Sequence, residues 1–230
     1  TEDLFNAVYN NDYDAAVKAI ENGADVNART PSEASLLHIS AKNGNVDILK
    51  YLINKELDMN AICDDGKTVL HYAAIGGNIN VVKYLVEEGL DVNARDTSDR
   101  TILHSAVYNG NIDVLKYLVE NGADFNAKDK IDGSVLYNCA GWGNVKNVKY
   151  LVEQGADVHT KTNGGNTALH VAANSGSLDI VKYFVENGLD VNAESDYGTA
   201  VLHVAVLNRH LNVVKYLVEN GAEVNAKLVN

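Results

Sequence analysis

Hydrophobic positions along the 230-residue chain come in pairs of short blocks. In residues 101–126 a compact apolar run, ILHSAV, is followed by the polar break YNGN. The segment IDVLKYLVE comes next, with Ile112, Leu115, Leu118 and Val119 recurring at helical spacing. The polar stretch GADFNAKDKIDG then leads to the next apolar block. This pattern predicts two short helices and an extended, turn-rich connection. Thr101 stands at the N-cap of the first helix, and Gly110 can take the positive φ that ends it. Asn111 caps the second, Asp113 lies near the positive end of its dipole, and Gly122 closes it. Helices shorter than ~12–15 residues are marginal alone in water, so they must stack on neighbours.

The pattern returns at a fixed step. GADVNA at residues 23–28 recurs as ELDMNA, GLDVNA, GADFNA, GADVHT, GLDVNA and GAEVNA. Its Asn falls at 27, 60, 93, 126, 192 and 225, with His159 in the remaining slot, so the period is 33 residues (60 − 27 = 33). A second signature keeps the same step, ending at His38, His71, His104, Tyr137, His170 and His203. A third, KYLV and its variants, places Tyr51, Tyr84, Tyr117, Tyr150, Tyr183 and Tyr216 in register. No linker or low-complexity segment interrupts the frame, which argues for one array and against a second domain.

The 33-residue period, a T-x-L-H tetrapeptide opening a helix, a central Gly and a closing G-A-D-V-N-A together resemble the ankyrin repeat family, over essentially the whole chain. The resemblance implies an all-α repeat solenoid of about seven stacked helix-turn-helix-hairpin units, near residues 1–29, 30–62, 63–95, 96–128, 129–161, 162–194 and 195–227. It also implies a concave face lined by hairpin tips and first helices. Three features depart from the family. Leu36, Val69, Ile102, Val135, Ala168 and Val201 stand where the tetrapeptide usually has Pro, and so lose its preset φ. Glu33, Asp99 and Asp132 replace a hairpin Gly, where Asp tolerates left-handed geometry better than Glu. In the last unit Ala200 and Arg209 replace the cap and the central Gly, so that unit is expected to be the loosest. In the first, Lys18 and Phe5 fill the Tyr and His slots, which suits a terminal repeat. The interior-like pattern of the last unit and the opening on Thr1 fit a chain without its native C-terminal cap, cut from a longer array or multidomain protein.

Composition narrows the function. A net charge of −12 and few clustered cations argue against a nucleic-acid partner. No apolar run approaches the roughly 20 residues of a membrane span, and no signal-peptide pattern opens the chain. Cys63 and Cys139 are too few for a disulfide framework, which points to a reducing compartment: the cytoplasm, or a host cytosol for a secreted effector. They also lie two repeats apart, too far to pair. Five of the seven His recur one repeat apart, ~10 Å between packed helices, whereas zinc ligands converge within ~2.1 Å of one point. Each is therefore expected to bond its own cap hydroxyl and a neighbouring loop carbonyl. The Tyr ladder repeats too regularly for a ligand cage. The Asp-rich hairpins lack a calcium loop and read as a solvated acidic edge, and TNGGNT at residues 162–167 lacks the Lys of a phosphate loop. No cofactor, metal or catalytic residue is expected.

Function should then lie at positions that do not repeat: the hairpin tips and the two residues before each central Gly. The segment SVLYNCAGWGN at residues 134–144 carries the sole Trp there. Ile75, Tyr108, Ile131, Trp142 and Tyr197 are expected to form an apolar stripe, with Leu207 beside it and Asp64, Asp65, Lys67 and Arg100 at its charged rim. Trp142 either anchors a partner or folds back over Gly141. The leading reading is a non-catalytic, monomeric module that binds a protein or peptide on the concave face. The alternatives are a targeting arm of a larger enzyme or effector, and a substrate of an asparaginyl hydroxylase at Asn93 or Asn192, because L-x5-D-V-N at residues 85–93 resembles the sequence such enzymes accept.

Overall fold

The computed structural model describes residues 2–227, which hold fourteen helices and no strand. It divides after Asp124 into two compact units. The first contains four helix pairs: α1 (Glu2–Tyr9) with α2 (Tyr13–Glu21), α3 (Leu36–Asn43) with α4 (Val46–Ile53), α5 (Val69–Gly76) with α6 (Ile79–Glu87), and α7 (Ile102–Asn109) with α8 (Ile112–Glu120). The second contains three: α9 (Val135–Gly141) with α10 (Val145–Glu153), α11 (Ala168–Ser175) with α12 (Leu178–Glu186), and α13 (Val201–Leu207) with α14 (Leu211–Glu219). Within each unit first helices pack on first helices and second helices on second helices, as α3 does on α5 and α12 on α14.

The helix starts follow the sequence reading. Thr68 Oγ1 accepts from the His71 amide, and Asn45, Asn78, Asn111 and Asn144 cap the second helices with their side-chain oxygens. The first helices end on Gly44, Gly77, Gly110 and Gly176 in left-handed conformation. At Gly77 the restriction is double, because a Cβ there would also lie 2.1 Å from Asn109 Oδ1 of the next repeat.

The apolar stripe of the second helices differs from the expected one. In α8 the fully buried residues are Val114, Leu115 and Leu118, whereas Ile112 and Val119 are only half-buried. The same three offsets are buried in α4 (Ile48, Leu49, Leu52), α6 (Val81, Val82, Leu85) and α12 (Ile180, Val181, Phe184). A second helix is pressed between its own first helix and the neighbouring repeats, so its inward face is centred one residue away from the most regular apolar spacing.

Each hairpin is closed by one antiparallel bridge, such as Arg29 with Ser35 and Lys161 with Thr167. A turn beyond it is closed by the Glu33, Gly66, Asp99, Asp132, Gly165 or Gly198 amide donating three residues back. Those six residues all have positive φ, Glu33 at 59° among them. The chain's one Pro, Pro31, occupies the second position of the first turn, where its fixed φ is preset. Arg209 also adopts positive φ, at 61°, in the slot filled by Gly44, Gly77, Gly110, Gly143 and Gly176 and, in the first repeat, by Asn11 at 57°.

Candidate functional site

The face built from first helices and hairpin tips is held rigid by bonds that repeat from unit to unit. Nδ1 of His38, His71, His104 and His170 accepts from the backbone amide and hydroxyl of its own cap residue, for example Ser35 at 3.1 and 2.8 Å. Nε2 of His38, His71 and His170 donates across to the next hairpin, to the carbonyls of Lys67, Arg100 and Thr199. A backbone amide can only donate and a carbonyl only accept, which fixes these rings in the neutral Nε2–H tautomer. Burial lowers the pKa of all three below the ordinary histidine value, against the opposing pull of the carbonyl bonds. Ala200 offers no hydroxyl, yet its amide still donates to His203 Nδ1 at 3.0 Å.

Tip joins tip in the same way. Asp64 N donates to Ser32 O and Thr97 N to Asp65 O in the first unit, and Asn163 N donates to Ile131 O and Asp196 N to Gly164 O in the second. Asp96 and Asp129 are buried, and each Oδ1 accepts two backbone amides of its own turn. These two carboxylates are turn locks, which corrects the reading of the hairpin acids as a uniformly solvated edge. In the GADVNA-type segments Asp25, Asp58, Asp91, Asp157 and Asp190 each accept from the amide two residues on, as Asp91 does from Asn93 at 2.8 Å.

Where the residue just before the central Gly is Asn43 or Asn109, it is tied to the preceding repeat. Asn43 Nδ2 donates to Val8 O and Tyr9 O, and Asn109 Nδ2 to Ile75 O and Gly76 O, covering the exposed carbonyl end of the preceding first helix. At the same register Gly76 makes room for the chain itself, since a Cβ there would lie 2.0 Å from Lys42 O. Trp142 occupies this slot and is 58% exposed.

The named candidates fall into two groups. In the first unit Tyr108 is 54% exposed at the end of α7, Ile75 is half-buried in α5, and Asp64 and Arg100 are exposed at tips. Lys67 is committed internally: its ammonium pairs with Asp65 and lies 3.5 Å from the buried Asp96 carboxylate. Burial raises the Asp65 pKa, but the Cys63 thiol and Lys67 bonds outweigh it and hold the carboxyl below its usual range. In the second unit Ile131, Trp142, Tyr197 and Leu207 are all largely exposed, and the Tyr197 ring lies beside Gly164 of the adjacent tip.

A family model for ankyrin repeats matches residues 4–96, 58–129 and 136–227. The chain belongs to the ankyrin repeat family. None of the curated proteins matches it. In ankyrin terms, the T-x-L-H histidines are the inter-repeat ties just described, and Tyr137 replaces one of them in the interior of the array, as Phe5 does in the first unit. The Tyr137 phenol ring carries no acceptor where the imidazoles have Nδ1. Burial and the nearby Asp129 raise its pKa.

The other sequence candidates settle into the ankyrin framework. The Tyr ladder packs repeat against repeat: Lys50 lies over Tyr84, Lys83 over Tyr117, Lys149 over Tyr183 and Lys182 over Tyr216, at 4.9–5.8 Å. Cys63 and Cys139 are free, buried thiols, both with pKa raised by burial. Among the described residues no His, Cys, Asp and Glu cluster could hold a metal ion, and no helix is long and apolar enough to cross a membrane. Asn93 and Asn192 sit in the connecting segments with both ends of the amide engaged, bonding Gly122 O with Asp124 N and Gly221 O with Glu223 N.

One feature of this face was not anticipated. A cavity of about 640 Å³ opens in the first unit between α1, α3, α5 and the first hairpin, lined in part by Phe5, Tyr9, Ile39 and Tyr72. The signal for it was present in the sequence. Tyr9 shares its register with Tyr108, and Tyr72 stands where other repeats carry Ile39, Ser105, Asn138, Val171 and Val204.

Proposed function

We propose that the chain is a non-catalytic interaction module that holds a protein or peptide on the face of its first helices and hairpin tips, with Trp142 as principal anchor. Ankyrin repeats are generally protein-protein interaction modules, so the class of function follows from the family. The observation that supports this surface is the exposure, within the second unit, of Ile131 at 49%, Trp142 at 58%, Tyr197 at 73% and Leu207 at 68%. Isolated exposed apolar side chains are ordinary, but a Trp and a Tyr presented on rigid backbone are the residue types that dominate binding energies. Their carriers are fixed, because the tips are joined by backbone bonds and α9 packs on α11. A partner would therefore meet preorganised apolar area at little ordering cost.

The test is affinity capture from a cell extract followed by mass spectrometry, with wild type beside Trp142→Ala at matched thermal stability. Loss of a wild-type partner in the variant supports the reading. Equal capture by both proteins removes Trp142 from the binding surface.

A further inference from the structure

We infer that the cavity of the first unit is a second, separate recognition site, built for a short peptide segment that carries a bulky apolar side chain next to a carboxylate. Its apolar part is built from Phe5, Tyr9, Pro31, Ala34, Ile39 and Tyr72. Ile39 is buried, and the Tyr72 ring is set edge-on against His38 at 5.0 Å. Phe5 and the 61%-exposed Tyr9 close the opposite side. At about 640 Å³ the space lies within the range that pockets for small ligands occupy, roughly 300–1,000 Å³. It is larger than any single side chain needs, so one anchor and its flanking backbone fit.

Charge selects the occupant. The chain carries 31 acidic and 19 basic residues, yet the charged members of this lining are both cations, Arg29 and Lys42. Arg29 is pinned in place by Nη1 donating to Glu33 O at 2.8 Å and Ile62 O at 3.2 Å, bonds to neutral carbonyls that leave its charge uncompensated. The Lys42 ammonium has no hydrogen-bond or ion-pair partner among the described residues, unlike Lys67 with its two carboxylates or Lys50, Lys83, Lys149 and Lys182 over their tyrosines. Two cations beside an aromatic hollow suit one or two carboxylates on a peptide. They do not suit a polyanion, whose backbone would be repelled by a protein of net charge −12.

A heptapeptide display library selected against the full chain tests this directly. Enriched sequences are expected to place an aromatic or Leu residue within two positions of Asp, Glu or the terminal carboxylate. A synthetic peptide of that kind should bind less tightly as salt rises, lose several-fold in affinity when its acids are changed to amides, and lose about tenfold or more against Lys42→Glu, where like charges meet. Tyr9→Ala should also weaken it, and Trp142→Ala should leave it unchanged. Both groove positions are exposed, so these variants should keep the wild-type melting temperature. No enrichment, enrichment without acidic residues, or binding that survives Lys42→Glu overturns the inference. Peptides lost with Trp142→Ala but not with Lys42→Glu would sink the groove while upholding the second-unit surface, and the reverse pattern is the one the groove predicts.

Discussion

Asn147 occupies the slot filled by Ile48, Val81, Val114, Ile180 and Val213 in other repeats. It is fully buried, and neither its Nδ2 nor its Oδ1 has a hydrogen-bond partner among the described residues. A buried amide left unpaired costs its desolvation, about 1–3 kcal/mol. Asn147→Val should therefore raise the stability by about that amount, measured as a higher denaturation midpoint at unchanged m-value, and an unchanged or lower midpoint would refute the account. The opposite sign holds at Gly76. Its missing Cβ is required by Lys42 O at 2.0 Å, a backbone atom that cannot swing aside, so Gly76→Ala should cost about 1–3 kcal/mol by overpacking. Gly141→Ala is the control: its nearest neighbour is the Val171 side-chain tip at 2.9 Å, which can turn away, and a smaller loss is expected.

The element that ties one repeat to the next is the cap-histidine-hairpin link, and it titrates. Protonating Nδ1 of His38, His71 or His170 would aim a proton at a backbone amide that is already donating, inside a buried site. Burial lowers the folded pKa of each. In the window between the folded value and the unfolded value of about 6.5, the unfolded chain binds more protons. Stability is thus fully present above about pH 6.5 and falls as pH drops below it, by up to ~1.4 kcal/mol per pH unit for each ring. Thermal midpoints should be flat from pH 8 to 7 and decline toward pH 5. His71→Gln should lower the midpoint at neutral pH and shallow that decline. An acid limb that begins only near pH 4 would assign the loss to carboxylates such as Asp65, whose pKa is also lowered, and not to these rings.

At the scale of the molecule, stability should be uneven, because a repeat array sums nearest-neighbour interfaces. The last helix pair starts α13 on Ala200 without a hydroxyl cap, holds Arg209 at positive φ, and leaves Val206 55% exposed, where Ala41, Ala74, Val107, Ala140 and Ala173 are buried. Hydrogen exchange should accordingly be faster in α13 and α14 than in α11 and α12, and equal protection would show that these defects do not matter. The period, the helix pairs, the caps and the histidine ties were all legible along the chain, since each depends on residues at fixed short spacing that recur every 33 positions. The exposed set in the second unit was legible for the same reason: subtracting a strict repeat leaves Ile131, Trp142, Tyr197 and Leu207. What the sequence by itself could not decide depends on contacts between repeats. Which offsets of a second helix are buried, whether Lys67 meets a partner or neutralises Asp96, and that Phe5, Tyr9, Ile39, Tyr72, Arg29 and Lys42 converge on one hollow are settled by packing between neighbouring units, because residues about 30 apart in the chain become neighbours only once the repeats stack.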